Sequence, residues 1–328
     1  MQPGPVLAVE TRSGRVQAVH TGHAILLGRD GHVVRSWGTP EQPTYWRSAA
    51  KPFQALPFVA SGAMASFDIG DAELAVACGS HAAEPMHVEA ALHTLTAAGL
   101  QVADLKCGVH DPGALAGPMP AGGWTAIHNN CSGKHAAMVA TCKHRGWPVD
   151  GYLEASHPLQ VEIRGWVARA AGLDAADVPF GVDGCSLPTF FLPVASLARS
   201  FQWLQRSGEA PALRVLEAMA NRPEMVGGTG NSDTDLPRLT EGHLVSKYGA
   251  LGVVGAVDRR TGEAIAVKLD AGTSQPARAV ALAVMAEAGW LTEAQEASLA
   301  PHIRPTLRNH AGLEVGHVEP QLAGSLDE

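Results

Sequence analysis

Strand signals crowd both ends of this chain, and helical signals fill the middle. Residues 6–11, 16–21, 24–27 and 32–37 are short apolar or alternating runs, separated by Ser13-Gly14, Gly22 and Asp30-Gly31. That spacing predicts a β-meander with tight turns, hence antiparallel pairing. Residues 244–247, 251–257 and 265–269 repeat the pattern, with Arg260-Thr261-Gly262 closing a hairpin. The expectation is an α/β (α+β) fold. One antiparallel sheet is formed from both ends of the chain, with flanking helices and a helical insertion over roughly 55–225. No clean linker marks a boundary, so residues 1–328 read as one domain, with a poorly ordered tail from about Leu313.

The helical reading covers residues 48–61, 71–77, 84–98, 136–143, 158–171, 193–204, 211–220 and 277–288. In the third of these, Val88, Ala91, Leu92 and Leu95 keep helical spacing, with Pro85 in the first turn and Gly99 past the end. A hydrophobic fraction of 46% over 328 residues is enough for a large core. Charged residues are only 17% and the net charge is −8, with no basic run, so a nucleic-acid surface is excluded. No apolar run approaches the ~20 residues of a membrane helix. Met1-Gln2-Pro3-Gly4-Pro5 lacks the basic and apolar regions of a signal peptide. A cytoplasmic protein without membrane or nucleic-acid partners is expected. The five cysteines are widely spaced and odd in number, which argues against a disulfide framework.

Chemistry enters at Arg47-Ser48-Ala49-Ala50-Lys51-Pro52-Phe53. The pattern predicts a loop entering a helix, with Ser48 near the N-cap and Pro52 in the first turn. Ser48 and Lys51 then share a face. Apolar surroundings disfavour the ammonium, and a neutral lysine can take the serine proton. Taken alone, S-x-x-K is common. Ser80, between Gly79 and His81, is a second candidate at a sharp turn. Lys247-Tyr248-Gly249 is similar to the K-T-G strand of serine β-lactamases and penicillin-binding proteins. Cys131, Lys134 and Cys185 form a weaker signal: two thiolates suit a cation such as Zn²⁺, Asp183 is a ligand or a supporting carboxylate, and His135 is a more ordinary ligand than Lys134. The glycine-rich stretch 226–231 lacks a phosphate-loop pattern and reads as a flexible loop.

Taken in order, Arg47-Ser48-x-x-Lys51-Pro52-Phe53, Cys78-Gly79-Ser80-His81, Lys106-Cys107-Gly108, His128-Asn129-Asn130-Cys131-Ser132-Gly133-Lys134-His135, Asp183-Gly184-Cys185 and Lys247-x-Gly249 resemble the class 3 L-asparaginases of the Rhizobium etli type. The resemblance runs from about Thr11 to about Ala288. It implies a serine β-lactamase- and glutaminase-like fold, a homodimer, and hydrolysis of L-asparagine to L-aspartate and ammonia. It implies two serine–lysine tandems: Ser48 with Lys51, and Ser80 with Lys247, for which Lys268 is the alternative. It implies zinc at Cys131, Lys134 and Cys185, near Asp183, tightening substrate binding rather than supplying the nucleophile. Arg47 is the candidate for the substrate's α-carboxylate, and Asn130 and His135 for its other polar groups. One departure is Leu251, near which the resemblance leads one to expect an acidic residue. The rival readings are a glutaminase, β-lactamase or peptidase on the same scaffold, a zinc-hydroxide hydrolase, and a metal sensor without turnover.

Overall fold

The computed structural model describes residues 2–322. Its strands are β1 (Val6–Arg12), β2 (Arg15–Leu27), β3 (Val33–Trp37), β4 (Pro43–Tyr45), β5 (Phe180–Val182), β6 (Pro188–Pro193), β7 (Leu244–Gly249), β8 (Val253–Asp258), β9 (Ala264–Leu269), β10 (Thr306–Arg308) and β11 (Glu314–Pro320). The helices are α1 (Lys51–Gln54), α2 (Leu56–Ala60), α3 (Ala63–Ser66), α4 (Asp71–Cys78), α5 (Pro85–Ala97), α6 (Ser132–Arg145), α7 (Pro158–Ala171), α8 (Val194–Arg206), α9 (Ala210–Asn221), α10 (Glu224–Gly227), α11 (Ser232–Leu239), α12 (Ser274–Glu287) and α13 (Glu293–Ile303).

The expected sheet is present and antiparallel throughout. Its order is β10-β11-β1-β2-β9-β8-β7, with β3 also paired to β2. Strands from the two ends of the chain meet where β2 pairs with β9 and where β1 pairs with β11. Both faces are covered. Ala24 and Leu26 of β2, with Ile265, Val267 and Leu269 of β9, pack in a cluster with Ala277, Val280 and Val284 of α12. Ile25 and Leu27, with Ala264 and Ala266, belong to the larger core that includes α8. Successive residues of a strand serve opposite faces, so a sheet buried on both sides is written as unbroken apolar runs.

Four expectations change. Gly22 is not a turn: β2 runs straight through it, because a Cβ there would come within 2.3 Å of Lys268 O, and glycine permits the close pairing with β9. The tail expected from about Leu313 is instead a strand over Glu314–Pro320, fixed by pairing with β1 and β10; residues 323–328 of that expectation lie outside the described residues. Strands β4, β6 and β5 form a second, three-stranded sheet where the sequence reading places no strand. Ser48 is not an N-cap. Arg47–Ala50 is a 3₁₀ turn that Trp46 precedes without a side-chain cap, and the helix after it breaks at Ala55, where Pro57 has no N–H to continue it.

Candidate active site

Three segments meet at the amine of Lys51, which is fully buried. Lys51 follows the 3₁₀ turn, and its backbone N–H donates to Ser48 O. Its Nζ donates to Gly79 O at 2.5 Å, Ser80 Oγ at 3.0 Å and Asn130 O at 3.0 Å. Gly79 and Ser80 lie just past α4, and Asn130 lies just before α6. No carboxylate is among these acceptors. Burial lowers the Lys51 pKa to about 8, with Cys131 opposing the shift and Lys134 and Lys247 adding to it. Ser48 is half-buried, and its Oγ has no hydrogen-bond partner among the described residues. Gly249 at the end of β7 closes this side: a Cβ there would come within 2.6 Å of Trp46 O and 3.2 Å of Ser48 N.

The turn that presents Ser80 is pinned twice. Ser80 N donates to Val226 O at 2.8 Å, and the Ala83 N–H donates to His81 Nδ1 at 3.1 Å. With Nδ1 accepting, the neutral ring carries its proton on Nε2 and donates to Ser132 Oγ at 2.9 Å. Burial keeps His81 neutral by holding its pKa well below the usual value. The stretch 226–231, expected to be flexible, is tied down: Glu84 accepts from both the backbone N–H and the hydroxyl of Thr229, and Asn231 caps α11.

Beside this cluster, Cys131, Cys185 and Lys134 converge. Lys134 Nζ lies 3.3 Å from Cys185 Sγ. A hydrogen bond with Cys185 holds the Cys131 thiol well below its usual pKa. Burial opposes that shift, and Lys51 and Lys134 favour it. The same hydrogen bond, then burial, pushes Cys185 up, so the pair shares one proton. Burial penalises the Lys134 ammonium, yet Cys185, Cys131 and Asp183 outweigh it and raise the pKa. Burial also disfavours the Asp183 carboxylate, but Lys134, the Gly184 N–H and Arg47 hold its pKa below the usual value. Arg47, at a left-handed φ of 50°, donates from Nε to Asp183 Oδ1 at 2.6 Å. Among the described residues no group of three or more His, Cys, Asp or Glu side chains is placed to hold a metal. A zinc ion here therefore needs the Lys134 amine as its third donor. Two soft sulfurs and one nitrogen with a fourth position open fit that ion's chemistry.

The remaining expected residues lie elsewhere. Lys247 Nζ donates to Asp233 Oδ2 at 2.7 Å and to Tyr248 O at 2.8 Å, in a fully buried ion pair. Lys268 Nζ donates to the carbonyls of Leu251 and Leu269. Neither lysine donates to Ser80; Lys51 does. His135 is buried, with Nδ1 2.6 Å from Tyr152 Oη. Its Nε2 has no partner among the described residues.

A family model described as L-asparaginase II matches residues 8–320, nearly the whole length. The chain belongs to the L-asparaginase II family. It is an amidohydrolase of the asparaginase type, acting on a small-molecule amide. No curated protein gives a match. Among solved structures, a β-lactamase from Mycobacterium bovis is 15% identical over 81% of this chain and 94% of that chain, with a TM-score of 0.35. No helix among the described residues is long and apolar enough to cross a membrane.

Within this asparaginase II chain, sequence reasoning missed Asp233 and the His81–Ser132 pair. Ser132 stands inside the motif Asn129-Asn130-Cys131-Ser132-Gly133-Lys134-His135, so that string carried a signal for it. Asp233 carried none, because an acidic residue in the first turn of a helix is ordinary.

Proposed function

We propose that the chain hydrolyses L-asparagine to L-aspartate and ammonia with Ser48 as nucleophile and Lys51 as base. The observation that carries the reading is the Lys51 amine: buried, without a carboxylate partner, lowered to about 8, and bonded to Ser80 Oγ. Neutral Lys51 takes the Ser48 proton as Oγ attacks the side-chain amide carbon. The Ser48 N–H, beside Gly249, is the candidate donor to the oxyanion that forms. As the C–N bond breaks, the proton on Lys51 passes through Ser80 Oγ to the leaving nitrogen, and ammonia departs. A water then attacks the β-aspartyl ester and gives its proton to Lys51. The ester C–O bond breaks, Ser48 is reprotonated, and aspartate leaves.

Arg47 and Asp183, an ion pair at the rim, suit the substrate's α-carboxylate and α-ammonium. Asn130 is placed beside the base, its carbonyl bonded to Lys51. Cys131, Cys185 and Lys134 would hold zinc, which supplies a fixed positive charge that tightens substrate binding. A homodimer and a cytoplasmic location complete the reading; light scattering of the purified chain tests the first.

The decisive assay is ammonia release from L-asparagine and L-glutamine by wild type and Ser48→Ala, with and without zinc. Asparagine turnover that vanishes in Ser48→Ala, with zinc changing mainly KM, supports the reading. Turnover that survives Ser48→Ala moves the nucleophile elsewhere. Preference for glutamine makes the chain a glutaminase on the same machinery.

A further inference from the structure

Asp233 is heavily engaged, yet the reaction above gives it no role. It is 1% exposed, in the first turn of α11, where the helix N-terminus favours an anion. Its carboxylate accepts from three consecutive residues of β7: Ser246 Oγ at 2.8 Å, Lys247 Nζ at 2.7 Å and Tyr248 N at 3.1 Å. The next residue, Gly249, lies against the nucleophile turn, where a Cβ would come within 2.6 Å of Trp46 O, 3.0 Å of Ala49 N and 3.2 Å of Ser48 N. The end of β7 is therefore held by a carboxylate and then passes directly beside Ser48.

We propose that Asp233 is a positioning residue for Ser48. It anchors the end of β7 through the Lys247 ammonium and the Tyr248 amide, and Gly249 transmits that anchor to the turn carrying the nucleophile. The proposal rests on the reading of Ser48 as nucleophile. Removing the carboxylate leaves a buried ammonium without its counter-ion, and the strand end has to rearrange to rehydrate it. Displacing a reacting group by about 1 Å is enough to cost about 100-fold.

The test is the rate at which a fluorophosphonate probe labels Ser48 on the full chain, read by mass spectrometry at a temperature where each variant is folded. Asp233→Asn is expected to slow labelling by about 100-fold, and Asp233→Glu, which keeps the charge, to slow it less. Gly249→Ala alters no charge and displaces the turn from the other side. It is expected to slow labelling as well, and it decides the matter if Asp233→Asn does not fold. Val318→Ala, a buried site on β11 far across the sheet from β7, lowers the melting temperature and should leave labelling at the wild-type rate. Wild-type rates in Asp233→Asn or Gly249→Ala, or equal slowing in Val318→Ala, overturn the proposal. If the labelling pattern holds but asparagine is not hydrolysed, the substrate reading falls and the positioning role stands. If asparagine is hydrolysed and labelling is unchanged, the reverse is true.

Discussion

Lys51 and Lys247 are both fully buried near the Ser48 turn, yet their amines have different company. The Lys51 amine bonds two carbonyls and a hydroxyl, all neutral. The Lys247 amine bonds a carboxylate and a carbonyl and lies 4.1 Å above the centre of the Tyr248 ring. Burial alone penalises an ammonium, and a nearby anion offsets that penalty. The contrast assigns the roles: Lys51 is the amine that can shed its proton near neutral pH, and Lys247 is the anchored cation. Of the expected serine–lysine pairings, Ser80 bonds Lys51 rather than Lys247, and neither lysine bonds the Ser48 hydroxyl among the described residues.

Replacing Lys51 tests that assignment most severely. Lys51→Met is expected to lower kcat by about 10³-fold, within the range for a lost general base. Its melting midpoint should fall less than that of Lys247→Met, because two carbonyls and a hydroxyl lose a donor but no carboxylate loses its counter-ion. A steady-state assay beside a thermal melt checks both, and a fall in the melt that matches the fall in rate would break the comparison.

The pH profile of the wild type gives the next largest effect. A base works deprotonated, and Lys51 is lowered to about 8, so its working form is scarce below pH 8 and dominant above it. The rate kcat/KM should rise about tenfold per pH unit up to pH 8 and then level, leaving pH 6 about 100-fold below the plateau. A flat profile from pH 6 to pH 9 would remove Lys51 from the base role.

The lysine contrast also separates what the sequence shows from what it hides. Ser48, Lys51, Ser80, Cys131, Lys134 and Cys185 stand in local strings whose residue types declare their chemistry, and the two-ended sheet follows from its apolar runs. Partnership across the fold is not written locally. Nothing near Lys247 on its strand announces Asp233, which arrives from the first turn of helix α11, and nothing near Lys51 announces the carbonyls of Gly79 and Asn130. Gly22 misleads for a related reason. Glycine signals a turn or a close backbone approach, and only the arrival of β9 decides between them.

Breaking the anchored pair should cost stability more than chemistry. Lys247→Met leaves the Asp233 carboxylate buried without its counter-ion, and about 3–5 kcal/mol of folding free energy is expected to go with it. Urea unfolding measures that loss, and kcat should fall less than in Lys51→Met. A variant of wild-type stability would mean that the Asp233 bonds to Ser246 and Tyr248 suffice alone.

The smallest effect separates the two supports of Lys247. Tyr248→Leu removes the ring beneath the ammonium but keeps the strand, the backbone N–H to Asp233 and the carboxylate. The expected loss is about 0.5–2 kcal/mol, the span of a cation–π contact from exposed to desolvated. Arg278 also rests on this ring, at 4.8 Å, so the loss includes its contact. Because the cation and its counter-ion both remain, the midpoint of the pH–rate profile should not move. A midpoint that moves with Tyr248→Leu would mean that the ring, rather than Asp233, governs the charge that Lys51 feels from Lys247.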